Sequence, residues 1–177
     1  MTDEQLKAAV ADLVKTVKET SLEIRELKRQ SAARDKKWGT FTEGLAYPAM
    51  TKILGEKLGL DTFMLRPKRR RNGEMSEYDV MGYTNGARNA VAIVEVKSPL
   101  RDDAIEQLEQ QIEDFGPFYP EHAGKDVYGV IAGVDIPEQV ARKVVAKVFY
   151  LAQIHDEEFE LMVPRGFKPK AFHPRTS

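Results

Sequence analysis

Asp79 stands in Glu77-Tyr78-Asp79-Val80-Met81-Gly82-Tyr83, and Glu95 and Lys97 stand in Ala90-Val91-Ala92-Ile93-Val94-Glu95-Val96-Lys97. Both segments read as strands, the second built mostly of Val, Ile and Ala. Asn85-Gly86 between them is a strong short-range hairpin signal. Residues two apart on a strand share a face, so Glu95 and Lys97 point one way while Val94 and Val96 point the other. A hairpin folded symmetrically about Ala87 brings Asp79 opposite Glu95. Two carboxylates and an ammonium then converge among apolar neighbours, where charge is costly to desolvate unless it is paired or holds a metal. Two chemistries are open to such a cluster. Either Lys97 neutralises Glu95 or Asp79 as a strand-face ion pair, or the carboxylates form a hard-oxygen cation site.

The arrangement Asp79…Glu95-Val96-Lys97 resembles the signature of the PD-(D/E)XK nuclease superfamily, in which an acid on one strand precedes acid-x-Lys on the next. Tyr78 stands where the motif's name has Pro. A helix carrying Glu43 before the strands and a Gln-rich helix (Gln107, Gln110, Gln111) after them fit the same pattern, and the resemblance covers residues 37–134. It extends to a group of prokaryotic proteins that join a coiled coil to this nuclease core. The fold it implies is α/β and restriction-endonuclease-like, a central mixed sheet flanked by helices. The activity it implies is metal-dependent hydrolysis of phosphodiester bonds in nucleic acid, with DNA the expected substrate. By the same resemblance Asp79, Glu95 and the Val96 carbonyl hold the ion, and Lys97 orients the attacking water or counters charge on the phosphate. Glu43 binds a second ion or orients water, and Gln111, or Gln107 one turn earlier, lies near metal or substrate.

Hard carboxylate oxygens suit Mg²⁺ or Mn²⁺, whereas Zn²⁺ prefers His or Cys. Such an ion acts as a Lewis acid and lowers the pKa of its bound water, and a lysine beside it has its own pKa depressed. The superfamily fold also hosts inactive members, and fold alone does not fix function. The alternative is therefore a coiled-coil scaffold or nucleic-acid-binding module that keeps the cluster as an ion pair.

The chain of 177 residues suits one ordinary domain with an appendage; 42% hydrophobic residues support a core and 31% charged residues a well-solvated surface. No apolar run approaches the ~20 residues of a membrane span. The N-terminus lacks the apolar region of a secretory signal, and the absence of Cys excludes disulfides and thiolate metal sites, so the expected location is the cytoplasm. A net charge of -1 makes no global case for nucleic acid, which must rest on local patches.

Residues 1–36 are expected to form a dimerising coiled-coil helix, and residues 37–177 the nuclease-like domain. Leu6, Val10, Leu13, Val17, Thr20, Ile24 and Leu27 follow a heptad seam with β-branched residues at a, the pattern of a parallel homodimer or higher oligomer, flawed at Thr20; the alternative is an amphipathic helix packed on its own domain. Trp38, Phe41, Leu45, Ala49, Ile53 and Leu58 mark a second helix, bent or interrupted at Pro48 and stopped by Gly59. Thr62 to Arg66 reads as an edge or first strand. It runs into Pro67-Lys68-Arg69-Arg70-Arg71-Asn72-Gly73, a basic turn whose Lys68, Arg69, Arg70 and Arg71 are expected to grip phosphates and give a steep salt dependence.

Beyond Lys97, residues 101–115 read as a helix with Ile105, Leu108 and Ile112 inside and an acidic outer face turned away from substrate. Gly116 to Pro120 reads as a turn, and Asp126 to Val134 as a buried strand. Pro137 is placed in the first turn of a helix, with Asp135 as its N-cap partner. Residues 148–154 and 159–163 read as a hairpin, unless the helix extends through Leu151. The tail from Pro164 is expected to be loose, and His122, His155 and His173 to be solvated. No P-loop, dinucleotide turn or nucleophile elbow is present.

Overall fold

The computed structural model describes residues 46–155 and 158–174, with the backbone alone at 154, 155 and 158. Residues 1–36, expected to form the coiled coil, the apolar residues Trp38, Phe41 and Leu45, and Glu43 all lie outside the described residues. A six-stranded mixed sheet runs in the order β1-β4-β5-β6-β7-β8. Its strands are β1 (Thr62–Leu65), β4 (Val80–Tyr83), β5 (Ala90–Lys97), β6 (Asp126–Gly133), β7 (Tyr150–His155) and β8 (Glu158–Leu161). A separate two-stranded ribbon pairs β2 (Lys68–Arg71) with β3 (Glu74–Glu77). β5, β6 and β7 are mutually parallel, joined through helices, while β1-β4, β4-β5 and β7-β8 are antiparallel. The fold class is the one expected, α/β with a central mixed sheet flanked by helices.

Alternation along β5 sorts the two cores. Ala90, Ala92, Val94 and Val96 lie in the core shared with helix α1 (46–58), which buries Ala46, Met50, Leu54 and Leu58. That buried stripe is offset from the expected face; Ala49 and Ile53 flank it half-buried. The described helix continues across Pro48 without a break and ends at Gly59, whose φ of 63° and N–H bond to the Gly55 carbonyl form a left-handed cap. Val91 and Ile93 point into the opposite core, against Ala104, Ile105, Leu108 and Ile112 of α2 (Asp102–Glu113). Gly129 of β6 is part of that close packing, since a Cβ there would stand 2.6 Å from the Phe149 ring.

Several local expectations are corrected. The segment 77–83 is not one strand: β3 ends at Glu77, β4 begins at Val80, and Asp79 sits at the bend between them. The basic run is not a turn but strand β2, and Asn72 and Gly73 (φ 51° and 85°) make the tight hairpin turn after it. Asn85-Gly86 is not the two-residue turn; the chain reverses over Gly86–Asn89, where Asn89 N–H donates to the Gly86 carbonyl. Buried Lys125 holds that loop, its ammonium donating to the Thr84 carbonyl, Asn85 Oδ1 and Asn89 Oδ1 at 2.8, 2.8 and 2.9 Å.

After α2 comes a short helix α3 (Phe115–Phe118) and a 3-10 turn (Pro120–His122), not an irregular turn. α4 (Glu138–Ala146) has Pro137 at its N-cap with no side-chain cap, so Asp135 does not play that part. The hairpin β7-β8 forms, and the helix does not extend into it. The tail is tied back, because Phe172 exchanges both backbone hydrogen bonds with Val127 and packs on Phe149. The acidic face of α2 meets α4, with Asp102 to Lys143 at 2.5 Å and Glu109 to Lys147 at 2.7 Å. No helix among the described residues is long and apolar enough to cross a membrane.

His122 is buried, not solvated, and packs against Tyr83 (4.6 Å), Phe115 and Tyr119. Burial lowers its pKa below 6.5; Glu121 opposes this, and Lys125 and Arg69 reinforce it. His173 is exposed, 3.6 Å from Asp126. A histidine with a depressed folded-state pKa takes up its proton more readily when unfolded. Stability should therefore be constant well above pH 6.5 and fall as the pH drops through 6.5 toward the folded-state value. Urea midpoints at pH 7.5 and 5.5 check this, with a His122→Phe variant expected to lose most of the difference.

Candidate active site

The cluster forms where β4 parts from β5. In an antiparallel pair every second residue pair is hydrogen-bonded. Thr84 N–H donates to the Ala90 carbonyl, so the bonded series continues through Gly82/Ala92 and Val80/Val94 and would reach Tyr78/Val96 next. At that step the ladder breaks. Tyr78 N–H donates instead to the Pro67 carbonyl (3.3 Å), and Val96 N–H donates to Asp79 Oδ2 (2.7 Å). A side-chain carboxylate has taken the place of a main-chain acceptor. The Val96 carbonyl, directed by the same alternation toward Asp79's strand, has lost its Tyr78 donor.

The β4-β5 register ends at Val80–Val94, and beyond it Asp79 is tied to β5 through the Val96 N–H. Glu95 is on the α2 side of the sheet, its side chain only 2% exposed. Both of its oxygens are engaged: Oε1 lies 2.7 Å from Lys97 Nζ, and Oε2 accepts from Gln111 Nε2 at 3.0 Å. Gln111 Nε2 also donates to the Glu77 carbonyl at 3.3 Å, which fixes the amide's orientation, since the flipped form would point an acceptor at two acceptors. Gln111 Oε1 is buried with no hydrogen-bond partner among the described residues. Gln107 is exposed on the next turn, so of the two glutamines it is Gln111 that meets the cluster.

Burial pulls the Lys97 pKa down, but the hydrogen bond and charge of Glu95, with the charges of Asp79 and Asp103, outweigh it and leave the pKa above the ordinary lysine value. The depression expected beside a divalent ion is thus not the state of Lys97 among carboxylates alone; here it is a firmly protonated donor. Its side chain is 37% exposed, so the ammonium faces solvent on one side and buried Glu95 on the other.

Among the described residues no group of three or more His, Asp or Glu side chains converges as a metal centre. The donors present are two carboxylates and one strand carbonyl, all hard oxygens, and the Val96 carbonyl lacks its ladder donor. By donor chemistry such oxygens would suit Mg²⁺ or Mn²⁺ rather than Zn²⁺.

Of the four cations of β2, Lys68 pairs with Glu77 at 2.9 Å. Arg69 reaches Glu121 (2.6 Å) and the Phe118 carbonyl (3.0 Å) and covers the Tyr119 ring at 4.3 Å, while Arg71 donates to the Pro117 carbonyl. Sequence reasoning missed Lys125 and the burial of His122. The acceptors of Lys125 and the Tyr83 ring against His122 come from an earlier part of the chain, and neither residue stands in a periodic apolar pattern that would mark it.

No protein-family model matches the chain, and no curated protein sequence matches it. Among solved structures, it is similar to a crystal structure of a repair endonuclease from Pyrococcus abyssi, with a TM-score of 0.40 and 18% identity over 61% of this chain and 46% of that one. The chain thus spans less than half the length of that protein, and at this similarity no residue role transfers.

Lys97→Ala leaves Glu95 buried with no countercharge and should lower stability by about 2 kcal/mol, less than for a wholly buried pair because Lys97 is part-exposed. Glu95→Gln in the same background should restore much of the loss. Urea unfolding of the two single variants and the double variant measures the coupling.

Proposed function

We propose that this chain is a metal-dependent nuclease that hydrolyses phosphodiester bonds, with DNA the expected substrate, through Asp79, Glu95 and Lys97. The observation that carries the reading is the break in the β4-β5 ladder. In support of the reading, Asp79 takes the Val96 N–H where the ladder would have continued, and the Glu95–Lys97 pair flanks Val96 on the same strand. Asp79, Glu95 and the Val96 carbonyl would hold Mg²⁺ or Mn²⁺, which when bound supplies Lewis acidity and a water of lowered pKa. Gln111 holds Glu95 through its hydrogen bond to Oε2. Lys97, part-exposed and protonated, is free to leave Glu95 Oε1 and donate from Nζ to a phosphate oxygen or orient the attacking water. Glu43 is assigned a supporting role at this site, and the 1–36 helix a homodimer that presents two such sites.

A second reading has its own support: Glu95 is already fully satisfied by Lys97 and Gln111, as a purely architectural ion pair would be. In that case the protein is a coiled-coil scaffold or a binding module.

Purified protein with Mn²⁺ or Mg²⁺ should cut at least one of single-stranded, duplex or branched DNA or RNA, and EDTA should stop it. Asp79→Ala and Lys97→Ala, checked as folded by circular dichroism, should each reduce the rate by roughly a hundredfold or more. Absence of cutting on every substrate would favour the scaffold.

A further inference from the structure

Lys68, Arg69, Arg70 and Arg71 are a single basic run in the sequence, but the register divides them. Leu65 opposite Val80 and Lys68 opposite Glu77 belong to one continuous register. Between them Arg66 N–H donates to the Asp79 carbonyl (2.9 Å) and Tyr78 N–H to the Pro67 carbonyl. Residues 62–83 are therefore one long hairpin. Its inner half belongs to the sheet, and its outer half is an arm that leaves β5 at Asp79, bent where Arg66 has a φ of 48°.

Strand alternation gives the arm two faces. One carries Arg69, Arg71 and buried Ser76, and it docks on α3 and the 3-10 turn through Tyr119, Glu121 and the carbonyls of Phe118 and Pro117. The other carries Lys68, Arg70, Met75 and Glu77 and is open to solvent. Met75 is 58% exposed, Lys68 is 54% exposed and paired only with exposed Glu77, and Arg70 has no partner among the described residues. An exposed pair such as Lys68–Glu77 contributes little and yields readily to a phosphate. Gln111 joins the arm's base to the cluster, since one amide donates both to the Glu77 carbonyl and to Glu95.

We propose that the outer face of this arm, Lys68 and Arg70 beside Met75, holds the sugar–phosphate backbone of nucleic acid leading into the Asp79–Glu95–Lys97 cluster, while Arg69 and Arg71 anchor the arm. The proposal rests on the nuclease reading above. Lys68 and Arg70 are roughly 6.6 Å apart along a strand, a separation comparable to that of successive phosphates on one chain. The docked arginines have spent their charge on Glu121 and on carbonyls, so they are poor phosphate ligands.

The test is fluorescence anisotropy of the full chain in EDTA, with labelled single-stranded DNA, duplex DNA and RNA, across a salt series. The Lys68→Ala/Arg70→Ala double variant should bind roughly tenfold or more weakly, with a log–log salt slope shallower by about 2 and an unchanged Tm. Arg69→Ala should lower the Tm. Wild-type binding with an unaltered double variant overturns the arm and leaves the nuclease reading standing. A wild type that binds no nucleic acid overturns both. An Arg69→Ala variant that loses affinity at an unchanged Tm shows that the two faces do not divide as proposed.

Discussion

Glu95 is a carboxylate at 2% exposure in the middle of a sheet, and everything around it answers that constraint. An isolated charge there would be prohibitive. Lys97 supplies the countercharge from the same strand face, and Gln111 supplies a neutral donor from the helix packed above. Both donors follow from architecture: the first from strand alternation, the second from the crossover that lays α2 on β5 and turns Ile105, Leu108 and Ile112 inward. A helix rotated by one residue would keep its apolar contacts only in part and would leave one oxygen of Glu95 unmet.

The second constraint is the departure of β4 from β5. A strand that simply continued would have paired Tyr78 with Val96 and closed the sheet edge. Instead Tyr78 turns into the aromatic core beside Phe115 and Tyr119, and Asp79 accepts the Val96 N–H in its place. The same bend does three things at once. It brings the Asp79 carboxylate to the Val96 N–H, strips the Val96 carbonyl of its Tyr78 donor, and sends the basic hairpin out as an arm anchored by Arg69 over Tyr119.

What was legible in the sequence is what local periodicity controls. The apolar run of β5, its symmetry with Val80–Tyr83 about Ala87, the inner face of α2 and the β7-β8 hairpin all follow from burial patterns. The arm was misread as a turn because its strands are charged on both faces, and Asn72-Gly73 has no alternating apolar flanks to announce it. Lys125, His122 and the docking of Phe172 depend on acceptors, rings or a vacant strand edge contributed from distant positions. No local pattern encodes such meetings. Choosing Gln111 over Gln107 likewise needed the helix phase relative to Glu95.

The central claim is that the gap in the β4-β5 ladder is a hard-oxygen cation site and not only a compensated ion pair. Calorimetric titration of Mn²⁺ into the full chain tests it most directly, with Asp79→Asn as the control that keeps shape and removes charge. The account predicts saturable binding to the wild-type protein that is lost in the variant. Absence of binding, or binding equal in both proteins, would contradict it.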